Sequence, residues 1–237
     1  RTETARALHG YRNALTYILQ IERDPDFAFD KQLLKSLHFM MLSYDMSKNP
    51  GQWRPRAIWV ESSRTGERVY EGPDKEMLGG LINELCHYIR APVRQDVLVK
   101  AAMVHLNLTL IHPFSDGNGR MARALQTLIL VLEGLPDPIF SSLEEWFGAN
   151  TDAYYVALTT VAQGVWSPQN SALSWVRFCL KGHYQQAERR LRQFEEFGEL
   201  WGLVESIVSE LKLHDRMTTA LIDSASGITL TNARYQK

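Results

Sequence analysis

The sequence predicts a mostly α-helical domain with one small β-hairpin, followed by a short helical tail. Three observations carry this prediction. Apolar residues recur at helical spacing through most of the chain. Only Ile58-Trp59-Val60 and Arg68-Val69-Tyr70 read as strands, and the polar stretch 61–67 between them makes one hairpin. Finally, two apolar runs of helix length, 97–111 and 124–132, enclose a polar segment with a proline and two glycines, so a turn is held between two core helices.

Taken in order, residues 4–22 place Leu8, Tyr11, Leu15, Ile18, Leu19 and Ile21 on one helical face. Asp30 caps a second helix running to about Tyr44, with Leu33, Leu34, Leu37 and the run Phe39-Met40-Met41-Leu42 inward. Residues 45–56 are a loop, and the hairpin follows. Pro73 stands where a helix start favours it, so 73–90 read as the next helix. The two core helices come next, and Gly134-Leu135-Pro136 stops the second. Further helices are expected over 150–163, 170–182 and 184–199. Residues 201–237 form the tail, with short helical patterns over 201–213 and 215–223, a turn at Ser224-Ala225-Ser226-Gly227 and a helix opening at Thr229.

The 237 residues carry 45% hydrophobic and 22% charged side chains, the make-up of a globular cytoplasmic protein. A net charge of −1 argues against wholesale attraction to nucleic acid or to a membrane surface. No apolar run reaches membrane-spanning length. Cys86 and Cys179 sit in apolar helical patterns, as buried thiols do, rather than in a disulfide framework. The first residue is Arg1, so the chain reads as part of a longer one.

The chemistry concentrates between the core helices, in His112-Pro113-Phe114-Ser115-Asp116-Gly117-Asn118-Gly119-Arg120-Met121-Ala122-Arg123. Pro113 biases His112 away from the α-region, so the helix stops there and presents the imidazole at its end. Gly117 and Gly119 permit positive φ angles that let backbone N–H groups converge at the start of the next helix, where the dipole favours an anion. Arg120 and Arg123 are neighbours on one face there, a placement the dipole disfavours unless a negative ligand joins them. Each part has a plainer explanation. A lone helix-end histidine is more often a satisfied core or surface group, and Asp-Gly and Asn-Gly are ordinary turn signals. Phe114 reads as a core anchor. With no cysteine or second histidine nearby, zinc is not expected. The conjunction is what points to a phosphate cradle with a base at its lip.

This run is similar, at every defined position, to the Fic family signature His-x-Phe-x-Asp/Glu-Gly-Asn-Gly-Arg-x-x-Arg. Looser likeness extends outward. Asn49-Pro50-Gly51-Gln52-Trp53-Arg54 with Ala57-Ile58-Trp59-Val60 resembles the segment before the family's hairpin flap. Val69-Tyr70-Glu71-Gly72-Pro73 resembles the returning strand, although the family more often has Pro-Pro at its end. Ala153-Tyr154-Tyr155-Val156-Ala157-Leu158 resembles the helix bordering the adenine pocket. The resemblance implies a Fic-type helical bundle over residues 1–200, with a flap at about 57–72.

What the resemblance implies for function is transfer of AMP from ATP to a Ser, Thr or Tyr hydroxyl of a target protein, with pyrophosphate released. His112 would be the general base, as an imidazole near neutral pKa suits that role. Asp116 would hold Mg²⁺, a hard ion that prefers oxygen ligands. Asn118 and the N–H groups around Gly117 and Gly119 would bind the α-phosphate, and Arg120 and Arg123 the outer phosphates. Tyr154 and Tyr155 would border the base, although aromatics at helical spacing are more often core. The flap at Val69 and Tyr70 would dock the target segment as an added strand. The Doc branch, which transfers a phosphate instead, has Lys where this chain has Gly119. UMP or phosphocholine donors stay open, since the motif addresses phosphates and not the base.

The tail resembles the front of a winged helix-turn-helix, which would make DNA a partner and the whole a nucleotide-sensing regulator. A plain helical tail that pairs two copies into a homodimer explains the same pattern. Many relatives also carry an inhibitory helix, Ser/Thr-x-x-x-Glu-Gly/Asn, whose Glu pairs with the second motif arginine, here Arg123. Ser63 to Glu67 continues to Arg68 and Ser206 to Glu210 continues to Leu211, so neither matches. The opening helix, Ala5 to Leu19, resembles the one that follows this inhibitory segment, which is therefore expected upstream of Arg1.

Overall fold

The run 97–111 becomes a helix that is apolar all round because it lies between two cores. In the computed structural model, which describes residues 2–21, 24, 26–62, 65–92, 95–135 and 142–231, this is α4 (Val97–Ile111). It follows α1 (Glu3–Ile21), α2 (Lys31–Leu42), a hairpin of β1 (Trp59–Glu61) and β2 (Arg68–Glu71), and α3 (Leu78–Arg90). After it come α5 (Asn118–Leu132), α6 (Glu144–Ala149), α7 (Thr151–Ala162), α8 (Leu173–Glu210) and α9 (Arg216–Ala225). Ala101, Val104 and Leu108 of α4 join a core built with Ile18, Leu34, Met41, Leu85 and Leu125. Ala102 and Leu106 face the other way, into an aromatic core of Phe147, Tyr154 and Trp175. A helix enclosed on both sides needs no polar face.

Local signals account for most boundaries. The Asp30 carboxylate accepts the Leu33 N–H at 2.8 Å as the N-cap of α2, and Asp96 does the same for Leu98 in front of α4. A short 3₁₀ turn, Lys75–Met77, occupies the expected start of the helix after Pro73, so α3 begins only at Leu78. The hairpin is antiparallel, pairing Trp59 with Glu71 and Val60 with Tyr70. Its β2 strand is held on the far side too: Glu71 donates to the Gly164 carbonyl at 2.9 Å and accepts from the Trp166 N–H at 2.9 Å.

One expectation about the C-terminal part fails. Helices were expected separately over 170–182, 184–199 and 201–213, yet α8 runs unbroken from Leu173 to Glu210. Gly182, at the end of the first of these expected helices, is a packing site, since a Cβ there would lie 2.6 Å from the Trp146 ring. Gly198 and Gly202 also sit inside the helix. The chain divides after Gln186 into two units, 1–186 and 187–237, rather than at residue 200. The second unit has its own small core of Val204, Val208 and Ile222. Of the last expected helix, 229–231 are not helical and 232–237 lie outside the described residues.

Cys86 and Cys179 are both buried thiols, and burial raises the pKa of each. Among the described residues, no helix is long and apolar enough to cross a membrane.

Candidate active site

The turn between α4 and α5 is built by contacts from distant segments. His112 ends α4 in the left-handed region, φ 50°, while its N–H still bonds the Leu108 carbonyl at 3.0 Å. A non-glycine residue holds that conformation only where its surroundings require it. Arg54 supplies the requirement: it is buried, its Nε donates to the His112 carbonyl at 3.0 Å, and its own N–H donates to Pro113 at 2.8 Å. The same guanidinium reaches the Arg56 carbonyl at 2.6 Å and the Pro73 carbonyl, so it ties the hairpin's two ends to the turn. Phe114 is fully buried, as expected, and its ring stacks on His38 with centroids 3.7 Å apart.

The glycines divide in role. Gly117 has φ 78°, and a Cβ there would lie 2.7 Å from Leu42 and 3.4 Å from the His38 ring, so only glycine fits. Gly119 does not share that positive φ. It is an ordinary helical residue of α5, and the expectation is corrected: Gly119 keeps the surface beside Arg123 bare. Asn118 also departs from its expected role. Its buried side chain accepts the Phe114 N–H at 3.0 Å and donates to the Phe114 carbonyl at 2.8 Å, so it staples the turn instead of facing a phosphate. No side chain caps α5, and its first turn has no acidic residue, which leaves backbone N–H groups pointing out at the helix start.

His112 Nδ1 lies 3.1 Å from the Thr109 carbonyl. A carbonyl only accepts, so Nδ1 carries the proton and Nε2 presents a lone pair. Burial lowers the imidazole pKa below 6.5, the Thr109 carbonyl works against that, Arg54 adds to it and Asp116 opposes it. The ring is therefore a neutral base at neutral pH. Asp116 stands at the mouth, half-exposed, with Lys48 Nζ at 3.4 Å and Arg120 at 3.7 Å. Its Oδ1 accepts the Gly117 N–H at 2.6 Å, and its own carbonyl accepts from His38 Nε2 at 2.9 Å. His38 Nδ1 accepts the Gly51 N–H at 2.8 Å, which settles that ring as the neutral Nε2–H form. Among the described residues no cluster of acids, histidines and cysteines could hold a metal by itself. One exposed carboxylate at a phosphate cradle fits Mg²⁺ that arrives with a nucleotide, because that ion takes one or two carboxylates plus phosphate oxygens.

The two motif arginines are held apart. Arg120 leans on Asp116, whereas Arg123, one turn further along α5, donates from Nε to Glu144 at 2.9 Å. A pocket of about 220 Å³ collects His112, Gly119, Arg123, Val69, Tyr70, Tyr154 and Tyr155. Thr109 lines it as well, and its hydroxyl is buried with no partner among the described residues. Tyr154 is mostly committed to the aromatic core, its hydroxyl 3.0 Å from His105 Nε2, while Tyr155 is 57% exposed. On the hairpin, Tyr70 is buried and donates to the Leu110 carbonyl at 2.6 Å. Its side chain thereby anchors the flap to α4. A register shift opposite Val60 and Glu61 leaves Val69 outside the regular pairing of the hairpin, while the Gly164–Trp166 segment covers the outer edge at Glu71.

His38, Lys48 and Glu144 were missed in the sequence. His38 stands between the residues read as inward and carries no signal of its own, and Lys48 and Glu144 stand far from the motif with no local signal. Arg54 was visible only as part of the segment before the hairpin.

The profile of the Fic/DOC family matches residues 28–130. A probable protein adenylyltransferase of Aquifex aeolicus is 33% identical over 92 residues, covering 39% of this chain and 29% of its own length. The chain thus spans less than a third of that relative. Among solved structures, Fic-1 of Caenorhabditis elegans superposes with a TM-score of 0.65 at 20% identity, covering 81% of this chain and 52% of that one. BepC of Bartonella tribocorum, solved with bound AMPPNP, gives a TM-score of 0.51 at 15% identity, covering 74% and 83%. At those identities the structures speak for the fold.

Proposed function

We propose, from the match of residues 28–130 to the Fic/DOC family profile, that the chain transfers AMP from ATP to a hydroxyl of a protein. The observation that carries this reading is the His112 ring, which lines the same pocket as Arg123 and Gly119 while its Nδ1 is engaged with Thr109, so that the lone pair falls to Nε2. In this reading Nε2 takes the proton of a target Ser, Thr or Tyr hydroxyl. The oxygen then forms a bond to the α-phosphorus, the α–β phosphoanhydride bond breaks, and pyrophosphate leaves with that electron pair. The N–H groups at the start of α5 and the arginines stabilise charge on the phosphates; positioning and electrostatics supply most of the rate. Asp116 would hold Mg²⁺ together with phosphate oxygens, and Mg²⁺ when bound neutralises phosphate charge. The names of curated relatives and the AMPPNP bound to BepC support a nucleotide donor of the ATP type.

The backbone edge at Val69 is the docking place we infer for the target segment, because added strands pair through main-chain groups. The decisive experiment offers the chain α-labelled and, separately, γ-labelled ATP with Mg²⁺. Label from the α-phosphate is expected on protein, and none from the γ-phosphate. Transfer of γ-label instead would identify a Doc-like phosphotransferase and overturn the reading.

A further inference from the structure

We propose that Glu144 is a positioning residue that aims Arg123 at the outer phosphates of the nucleotide, with Tyr11 holding Glu144 in turn. The inference rests on the nucleotide reading above. Its basis is a relay across three helices. Arg123 of α5 donates from Nε to Glu144 Oε2 at 2.9 Å, and the Tyr11 hydroxyl of α1 donates to Glu144 Oε1 at the start of α6. The ion pair is partly buried, with the two side chains 27% and 32% exposed.

Which edge of the guanidinium is used decides what the contact does. Guanidinium binds two anionic oxygens best through a parallel pair of N–H donors. Glu144 takes the Nε donor with one oxygen, and its second oxygen is turned to Tyr11. The carboxylate contact of Arg123 is made through Nε, and the Tyr11 hydroxyl lies beside the same guanidinium. Nη1 points over the start of α5, 3.7 Å from where a Gly119 Cβ would stand. That is the pocket face, where Gly119 and Arg123 line one wall. The carboxylate therefore fixes the rotamer while Nη1 stays on the pocket face beside Gly119. It also offsets a cation near the positive end of a helix before the ligand arrives. Side-chain freedom already lost before binding is not lost again on binding.

The test compares ATP with AMP, since only ATP has outer phosphates. Affinities are titrated calorimetrically for the wild-type chain, Glu144→Gln and Tyr11→Phe, with melting curves on each. Glu144→Gln is expected to weaken ATP binding about ten- to a hundredfold, the range of one hydrogen bond to a charged group, and to leave AMP binding unchanged. Tyr11→Phe should act in the same direction with a smaller loss. Equal loss for both nucleotides would make Glu144 a structural support only and overturn the inference. Unchanged ATP affinity overturns it as well, and so does tighter ATP binding with faster transfer, which would make the carboxylate a competitor of the phosphates. A wild-type chain that does not prefer ATP to AMP would overturn the nucleotide reading itself, and this inference with it. A preference that persists undiminished in Glu144→Gln overturns the inference alone.

Discussion

Burial places the pKa of His112 below 6.5, so the protonation state needed for a base is already the ground state at neutral pH. The sign of the pH dependence follows. The rate requires neutral imidazole, so kcat/KM should be level above pH 6.5 and fall with a single-proton slope only below it. An acid limb centred above 6.5 would count against His112 as the base. His112→Ala should lower transfer by about 10²- to 10⁴-fold while ATP binding persists, because the base acts on the target hydroxyl. These residues were legible because the motif is a local string, in which identity and spacing lie side by side. His38 and Glu144 were not, since each matters through a partner far away in sequence: His38 through Asp116 and Gly51, Glu144 through Arg123 and Tyr11. Asn118 was legible as important, but the partner of its side chain was not. Nothing in a sequence distinguishes an amide that faces a ligand from one that staples Phe114.

At the scale of elements, helical periodicity placed α1 to α5 within a few residues, because each buries one stripe or is enclosed on both sides. It divided α8 into three, although the helix carries Gly182, Gly198 and Gly202 within its span, and only a glycine's neighbours show what it does there. Gly182 meets Trp146, and Gly10 meets α2. The second case is open to test. A Cβ on Gly10 would lie 2.6 Å from the Met41 carbonyl and 2.8 Å from that of Met40, both backbone atoms that cannot swing aside. Alanine ordinarily stabilises a helix relative to glycine, so propensity alone predicts a gain. Packing predicts the reverse. Gly10→Ala should destabilise the first unit by about 1–3 kcal/mol, the usual cost of overpacking, as read from urea unfolding. A more stable variant would show that α1 and α2 separate easily. The prediction bears on function because α2 supplies His38 to the catalytic turn and α1 supplies Tyr11.

Across the first unit, burial holds four histidines, His38, His105, His112 and His183, toward the neutral form, and this makes the fold sensitive to acid. His105 is fully enclosed, with Nδ1 2.7 Å from Gln126 Oε1 and Nε2 3.0 Å from the Tyr154 hydroxyl, and burial lowers its pKa to about 3. Burial lowers His183 to about 4, and His38 and His112 shift in the same direction. The unfolded chain binds these protons at about 6.5. Above that value both states are neutral and the stability is fully present. As pH falls below it, the unfolded state gains protons that the folded state refuses, so stability declines until the folded pKa values are reached. At pH 5 the gap to 6.5 corresponds to roughly 2 kcal/mol for each histidine still neutral in the fold. His105 and His183 together then lower the melting temperature by on the order of 10 °C relative to pH 7.5. His105→Gln keeps a hydrogen-bonding side chain but cannot titrate, so it should remove about half of that drop even if it melts lower at pH 7.5. Melting curves at the two pH values decide the matter: a wild-type unit that melts equally at both, or a variant with an undiminished drop, would show that the aromatic core admits the proton.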